Sequence, residues 1–323
     1  MTLNEIKAPI EGHMKHFETL FRDSMRSTVP LLDTITRYIV KRKGKQIRPL
    51  FVFFSADLFA GITPKTYRAA TLIEMLHTAT LIHDDVVDDS NERRGFFSLN
   101  ALWKNKISVL VGDYLLSRGL LLSLQNEDFD LLKIVSASVR EMSEGELLQM
   151  EKARTLNIEE DVYFEIIRKK TASLIASCLA CGAASTGEPP EIVEKMRQIG
   201  EYIGIAFQIK DDLLDLDFSH QAGKPVATDI KERKMTLPLI YTLNRVDYSN
   251  KRQIINIIKN HGTDRVKVSW VIDQVKQHGG MDYAMETMTR YRKKALEELW
   301  LLPNKPARES LKNLIDFTIE RKS

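Results

Sequence analysis

The sequence predicts an all-α protein. Apolar residues recur at intervals of three and four along most of the chain, as one face of an amphipathic helix requires, and Ile6, Ile10 and Met14 begin the first such series. Residues 67–83 are apolar on almost every side, which indicates a helix at the centre of a fold. No convincing run of alternating apolar and polar residues predicts a strand. The chain is therefore expected to be built from helices.

Glycine and proline residues divide this helical pattern into segments. Pro30 is tolerated in the first turn of a helix that is expected to begin near Ser27. Gly61 and Pro64 are expected to close the helix before them, and Gly187 with the two prolines that follow marks a second break. In chain order, helices are expected over residues 3–43 in two parts, 50–60, 67–83, 109–124, 131–152, 158–184, 192–215, 254–258, 266–275, 283–301 and 306–319.

The composition is that of an ordinary globular protein. Hydrophobic residues make up 43% and charged residues 28% of the 323 positions, and both values lie close to globular averages. The 47 basic and 44 acidic residues give a formal net charge of +3, so no bulk field favours nucleic acid as a partner. A phosphorylated small molecule would need only a local basic patch.

The cysteines and the N-terminus bear on the cellular compartment. Cys178 and Cys181 form a single CxxC, too few ligands for a zinc site and without the βαβ pattern of a redox site, so both are expected in the core. No charged region followed by an apolar region opens the chain, so no secretory signal is expected. Residues 171–187, taken as the longest weakly polar run, fall short of the roughly 20 apolar residues that span a bilayer. A cytoplasmic protein is expected.

An acidic cluster stands at the end of the central helix, in LIHDDVVDDSNERRG. On a helix, Asp84, Asp85 and Asp88 share one face, where like charges repel each other. A divalent cation such as Mg²⁺ would turn this repulsion into coordination, and Arg93 and Arg94 follow within reach of bound phosphates. A lone cluster of this kind is more often a solvated helix end.

A second cluster with the same spacing strengthens the metal hypothesis. Asp211, Asp212 and Asp215 follow another apolar helical run, residues 203–209. Two such clusters on facing helices would clamp one diphosphate through metal ions. The solvated helix end then becomes the weaker interpretation.

Basic residues precede the first cluster. If Gly44 ends one helix, Lys45 and Arg48 point at an anion beside the start of the next; a plain polar connection is the alternative. His77 lies one heptad before Asp84, where a buried core histidine is the alternative to a ligand.

A basic loop is expected after the second cluster. Residues 223–238, GKPVATDIKERKMTLP, contain two prolines, a glycine and four basic residues close to Asp229. A lid over an acidic helix end is one interpretation, and a solvated loop is the other.

These motifs, in their order along the chain, resemble those of the trans-type isoprenyl (polyprenyl) diphosphate synthases. The resemblance covers nearly the whole chain, from GKQIRP through both DDxxD motifs and GKPVATDIKERKMTLPLIY to LPNKPARESLKNLIDFTIER. It implies one domain over residues 1–323, a bundle of long antiparallel helices around a central cavity (the isoprenoid synthase fold), and a homodimer. One departure is Ala227, which stands where GKPxGxD has a glycine.

The resemblance also implies the reaction and its residues. An allylic prenyl diphosphate would be condensed with isopentenyl diphosphate to give a long-chain all-trans polyprenyl diphosphate, which would pass to membrane enzymes. The Mg²⁺ ligands implied are Asp84, Asp85, Asp88, Asp211, Asp212 and Asp215. The catalytic residues implied are Lys170, Thr171, Gln208, Arg93, Lys224 and Lys234. The residues implied for isopentenyl diphosphate are Gly44, Lys45, Arg48, His77, Arg93 and Arg94. No side chain is an obvious base for the final proton loss, so the departing diphosphate is expected to take that proton.

Product length is expected to depend on the helix before the first cluster. Thr80 and Ala79 stand four and five positions before Asp84, about one turn below the expected metal site. By the family resemblance, short-chain members carry an aromatic ring at this level, and the ring stops the growing chain. Both residues are small here, so a long-chain product, hexaprenyl to octaprenyl or longer, is expected. The deeper floor is expected from Met75, Leu76 and Leu72.

Two alternatives remain beside this hypothesis, while a terpene cyclase is disfavoured and a ferritin-like protein is rejected. A short-chain farnesyl or geranylgeranyl diphosphate synthase and a non-catalytic subunit of a heteromeric synthase would share the fold. A terpene cyclase typically carries asparagine, serine and glutamate at its second metal site, where this chain has three aspartates. A ferritin-like di-metal protein needs two ExxH pairs, and the sequence has only Glu74 with His77.

Overall fold

The computed structural model describes residues 1–41, 44–90, 92–93, 96–156, 159–217 and 227–320. Its regular structure is almost entirely helical, which confirms the predicted all-α class. The helices are α1 (Leu3–Lys7), α2 (Glu11–Ser24), α3 (Pro30–Lys41), α4 (Ile47–Asp57), α5 (Pro64–Val87), α6 (Leu99–Gln125), α7 (Phe129–Thr155), α8 (Glu160–Ile167), α9 (Ser173–Ala184), α10 (Pro190–Asp215), α11 (Thr228–Lys231), α12 (Leu237–Leu243), α13 (Tyr248–Asn260), α14 (Arg265–Gln277), α15 (Gly280–Trp300) and α16 (Pro306–Glu320).

Three short elements complete the described structure. A 3-10 turn, Ala8–Ile10, joins α1 to α2, and a π-helical segment, Arg168–Ala172, joins α8 to α9. The strands β1 (Glu92–Arg93) and β2 (Phe96–Phe97) pair as an antiparallel hairpin that the sequence did not predict. Two-residue strands are too short to show an alternating pattern.

The chain divides into two compact units. Unit 1 contains Met1–Ser136, Ser177–Met196 and Lys305–Leu311, and unit 2 contains Ala137–Ala176, Arg197–Asn304 and Lys312–Ser323. The first acid cluster belongs to unit 1 and the second to unit 2.

Helix α5 is the central element of unit 1. It packs along α6 and against α4 and α2, which agrees with its apolar surface. It begins at Pro64, because the side chain of Thr63 caps it and a proline costs no hydrogen bond in a first turn. The expectation that Pro64 closes the preceding helix is therefore wrong. Cys178 and Cys181, also in unit 1, are fully buried, as expected of core residues.

Helix α6 is longer than the sequence predicted. It begins at Leu99, where the hydroxyl of Ser98 accepts a hydrogen bond from the backbone N–H of Ala101. Within the described residues it is the one helix long and apolar enough, by length and composition alone, to cross a membrane. Its most apolar window has a mean hydropathy of 1.5 and is 33% buried. By length and hydropathy, the segment to compare with a membrane span is therefore α6 and not residues 171–187.

A lysine in α6 adopts a backbone conformation that suits glycine. Lys104 has φ 68° and ψ 164°, a region that costs a residue with a side chain about 1–3 kcal/mol. We expect Lys104→Gly to raise the free energy of unfolding by about that amount, measured by urea denaturation. Lys106→Gly, at an exposed helical position two residues on, should lower it by about 0.5–1 kcal/mol. Equal effects of the two replacements would contradict this account.

Unit 2 contains a helix that the sequence did not reveal. Helix α12 packs against α15, α14 and α8, and Leu237, Leu239 and Ile240 are buried in those contacts. Pro238 favoured a loop in the sequence, but it lies in the first turn of α12, where its missing N–H leaves no bond unmade.

Candidate active site

Two glycines bring α10 close to the segment that carries Lys170 and Thr171. A Cβ at Gly200 would lie 2.6 Å from the Cα of Ala176, and one at Gly204 would lie 2.4 Å from the Cα of Ala172. No side chain fits in either gap, so the two backbones touch. Ala176 lies in α9, whereas Ala172 ends the π-helical segment, an irregularity often found at functional sites.

One turn beyond Gly204, this approach joins predicted site residues in a hydrogen-bonded row. The hydroxyl of Thr171 donates to Oε1 of Gln208 at 2.8 Å, and Nε2 of Gln208 donates to Oδ1 of Asp212 at 3.0 Å. The hydroxyl of Tyr163 donates to the other carboxylate oxygen of Asp212 at 2.7 Å. Every donor in the row therefore points toward Asp212, which is buried.

Two predicted lysines lie beside this row. Nζ of Lys170 contacts the carboxylate of Glu146 and donates to Oε1 of Gln149 at 3.4 Å. Nζ of Lys234 lies 2.5 Å from a carboxylate oxygen of Glu232 and 3.7 Å from one of Asp229. Both ammonium groups are thus paired with carboxylates in this structure.

The carboxylate of Asp215 accepts two backbone hydrogen bonds. The N–H groups of Thr228 and Asp229 donate to its two oxygens at 3.0 Å each. The side chain thereby fixes the start of α11 beside the end of α10. Asp211 is half-buried on the same helix.

A cavity of about 180 Å³ in unit 2 collects these side chains. Five predicted site residues line it: Lys170, Thr171, Gln208, Asp212 and Lys234. The sequence did not single out Tyr163, Gln149 or Asp229, which line it as well. Tyr163 stands seven residues, about two helical turns, before Lys170, and this spacing is the sequence feature that could have placed it on the same side as Lys170.

Buried acids crowd this cavity. Burial, with the charge of Asp229 adding to it, raises the pKa of Asp212 to about 7. Burial and the charge of Asp215 raise the pKa of Asp229 to about 6. Burial also raises the pKa of Asp215. The ionised forms of these groups are therefore costly in the absence of a cation.

The first acid cluster ends α5 in unit 1. Asp85 is buried, whereas Asp84 and Asp88 are exposed. Asp88 caps the helix, and its backbone N–H donates to the carbonyl of Asp84 at 2.8 Å.

A separate cavity of about 240 Å³ in unit 1 runs along one face of α5. Gly44 and His77, predicted for isopentenyl diphosphate, line it together with Asp85. Arg48 is half-buried and Lys45 is exposed.

The predicted chain-length residues are not part of this lining. Ala79, Met75, Leu72 and Leu76 are buried, and Thr80 is half-buried. A Cβ added at Gly119 of α6 would lie 3.1 Å from Cδ1 of Leu72 and 4.0 Å from Cβ of Met75. The face of α5 that carries Leu72 and Met75 therefore packs against α6.

Some predicted residues lie outside the described part of the chain. These are Arg94 and Lys224, while Arg93 is described only as part of β1. Among the described residues, no group of three or more histidine, cysteine, aspartate or glutamate side chains is placed to hold a metal ion. The assignment of six aspartates as metal ligands stays a prediction.

The all-α fold and the matches to known proteins show that the chain is a prenyltransferase. Residues 29–275 match the polyprenyl synthetase family, and the chain belongs to this family. It is 34% identical to the all-trans-nonaprenyl-diphosphate synthase (geranyl-diphosphate specific) of Rhodobacter capsulatus over 98% of this chain and 97% of that protein.

Solved structures share the fold over the whole chain. The crystal structure of a decaprenyl diphosphate synthase from Rhodobacter capsulatus has a TM-score of 0.93, with 32% identity and 100% of both chains covered. A polyprenyl synthase from Caulobacter crescentus CB15, complexed with calcium and isoprenyl diphosphate, has a TM-score of 0.91, with 31% identity, and covers 100% of this chain and 98% of that one.

Proposed function

We propose that this enzyme condenses an allylic diphosphate with isopentenyl diphosphate, releases diphosphate and builds a long-chain all-trans polyprenyl diphosphate. The observation that carries the proposal is the row of Thr171, Gln208 and Asp212 beside Lys170 in one cavity. The oxygen dipoles of this row suit a cation, and the ammonium group of Lys170 beside them suits a diphosphate. Residues 1–323 would form one polyprenyl synthase domain.

Mg²⁺ is the cofactor that we propose, and the residues present suit it. Carboxylate oxygens are its preferred protein ligands, and a cation would offset the cost of ionising the crowded acids Asp212, Asp215 and Asp229. When bound, it acts as a Lewis acid on the diphosphate oxygens as the allylic carbon–oxygen bond breaks. Asp211, Asp212 and Asp215 would hold Mg²⁺ in unit 2, and Asp84, Asp85 and Asp88 would hold Mg²⁺ in unit 1.

Basic side chains would hold the two diphosphates. Lys170 and Lys234 would exchange their carboxylate partners for the allylic diphosphate, with Arg93 and Lys224 as further contacts. The second diphosphate, that of isopentenyl diphosphate, would lie at Gly44, Lys45, Arg48, His77, Arg93 and Arg94. The cavity beside Gly44 and His77 supports this assignment.

The oxygens of Thr171 and Gln208 would stabilise the allyl cation that forms when diphosphate leaves. The double bond of isopentenyl diphosphate then attacks this cation, and the new bond moves the positive charge to the acceptor. A proton lost to the departing diphosphate restores the double bond. The protein residues position the reactants and stabilise charge.

A product assay tests the proposal. Incubation with farnesyl diphosphate, isopentenyl diphosphate and Mg²⁺ should release diphosphate and give a ladder of longer prenyl products, and chelation of the metal should stop both. No release would refute the synthase and favour a non-catalytic subunit. Hydrocarbon products without isopentenyl diphosphate would indicate a cyclase, and products that stop at farnesyl or geranylgeranyl length would indicate a short-chain synthase.

Stabilisation by Mg²⁺ is expected to depend on pH. The pKa values of Asp212, about 7, and Asp229, about 6, lie above the ordinary 3.8 in the folded protein. The protonated carboxyl groups of Asp212 and Asp229 therefore stabilise the folded protein at low pH, and this contribution is lost as the pH rises through those pKa values. Mg²⁺ binds the ionised forms, so it should raise the melting temperature more at pH 8 than at pH 5. Equal shifts at the two pH values, at matched ionic strength, would contradict a metal site at these acids.

We further propose a cytoplasmic homodimer. Six apolar residues of α6 are at least 40% exposed, a patch that a second copy would cover: Leu102, Val109, Leu110, Leu120, Leu121 and Leu124. Light scattering should give twice the chain mass of 37.1 kDa.

The apolar product of the proposed reaction would pass to membrane enzymes.

A further inference from the structure

The carboxylate of Asp212 is held by donors on both sides. Tyr163 donates to one oxygen at 2.7 Å and Gln208 donates to the other at 3.0 Å. Asp212 is 3% exposed and Tyr163 is 4% exposed, so water does not compete for these bonds. The carboxylate is thus fixed in one orientation.

This orientation determines which way the amide of Gln208 faces. Its NH₂ group is used toward Asp212, so its carbonyl oxygen is turned to Thr171, whose hydroxyl donates to it at 2.8 Å. The reversed amide would set a carbonyl against the carboxylate and leave Thr171 to face NH₂. Because an amide has one accepting and one donating end, the whole row has one direction.

The direction of the row decides what Thr171 presents to the cavity. A hydroxyl carries a single proton, and here that proton points at Gln208. The lone pairs of Oγ1 are left for the cavity that Thr171 lines. In a buried site, such an oriented dipole is stronger than in water, and linked hydrogen bonds polarise each other.

We propose that Tyr163 is a positioning residue, whose hydroxyl acts through Asp212 and Gln208 to keep the oxygen of Thr171 turned toward the reacting cation. This inference rests on the proposed function, in which an allyl cation forms beside Thr171. Tyr163 is 4% exposed, and three hydrogen bonds, through Asp212 and Gln208, separate its hydroxyl from that of Thr171.

Removal of one oxygen atom tests this role. Tyr163→Phe keeps the ring, which packs against Phe164 with centroids 5.4 Å apart, and deletes the hydroxyl. We expect kcat to fall about tenfold with the KM of both substrates unchanged, because the oriented oxygen stabilises the cation in the transition state alone. Tyr283→Phe is the matched control, since that hydroxyl donates to Glu160, one turn before Tyr163 on α8, and not to a residue of the row, so it should leave kcat unchanged.

A double-mutant cycle separates this role from general support of the fold. Thr171→Val removes the hydroxyl that the row orients. In that background, Tyr163→Phe should lower kcat by less than about twofold, because residues that act through one another are not additive. Independent, multiplying effects would overturn the proposal.

A binding measurement completes the test. The calorimetric affinity for Mg²⁺ with inorganic diphosphate should be the same in Tyr163→Phe and wild type. A weakened affinity or a raised KM would overturn the proposal and make Tyr163 a support for a metal ligand, and an unchanged kcat would overturn it as well. A wild-type enzyme without prenyl products would refute the proposed function itself, whereas an active wild type with an unaffected Tyr163→Phe refutes this inference alone.

Discussion

Replacing Gly204 with alanine is expected to destabilise the protein and abolish most of its activity. The new Cβ would lie 2.4 Å from the Cα and 2.6 Å from the Cβ of Ala172, neither of which is a flexible side-chain end. Helix α10 would have to move away and carry Gln208 from Thr171. Overpacking of this kind costs about 1–3 kcal/mol, and a misplacement of about 1 Å at a site costs about 100-fold in rate. Urea denaturation and the product assay measure the two effects.

The same replacement at Gly12 serves as the control. Gly12 lies in helix α2, and a Cβ there would meet nothing within 4 Å. Alanine at a helical position without a clash should stabilise the protein by about 0.5–1 kcal/mol. A wild-type rate and stability in Gly204→Ala would show that the close approach of the two backbones is dispensable.

Replacing Ala79 with tyrosine is expected to shorten the product from hexaprenyl or longer to farnesyl or geranylgeranyl length. Ala79 is fully buried on α5, five residues, or about 7.5 Å along the helix axis, before Asp84. An aromatic ring there would block the growing tail above Met75 and Leu72. Chromatography of the products after removal of the diphosphate measures chain length.

Thr78→Tyr is the matched control for this ring. Thr78 lines the cavity of unit 1 together with His77, a different face of α5 from Ala79. The ring there should raise the KM for isopentenyl diphosphate and leave product length unchanged. An unchanged product in Ala79→Tyr would show that Ala79 does not lie beside the tail.

The long helices could be predicted because their periodicity is a local property. Residues 67–83 predicted the centre of α5, but its start at Pro64 depends on the cap at Thr63, a local hydrogen bond that lies outside the apolar run. Helix α12 has only seven residues and begins with a proline in its first turn, so little of it stands out in a sequence. The hairpin of β1 and β2 offers no pattern to detect.

The candidate site was predictable only where its residues share a helix. Spacing along α10 places Asp211, Asp212 and Asp215 together, and the family resemblance supplied Thr171 and Gln208. Tyr163 and Asp229 come from α8 and α11, and their distance from Asp212 depends on how the chain folds, which single-sequence spacing does not report. The strain at Lys104 likewise appears only in backbone angles.

The paired hydrogen bonds at Asp215 also bear on how residues 216–227 can evolve in length. Because this carboxylate binds the N–H groups of Thr228 and Asp229, both ends of residues 216–227 are anchored at one point. The entropy of closing a loop grows slowly with its length, by about 0.6 kcal/mol for each doubling. Insertions and deletions between the anchors should therefore cost little stability, so the segment that carries Lys224 can vary in length without loss of the fold that supports it.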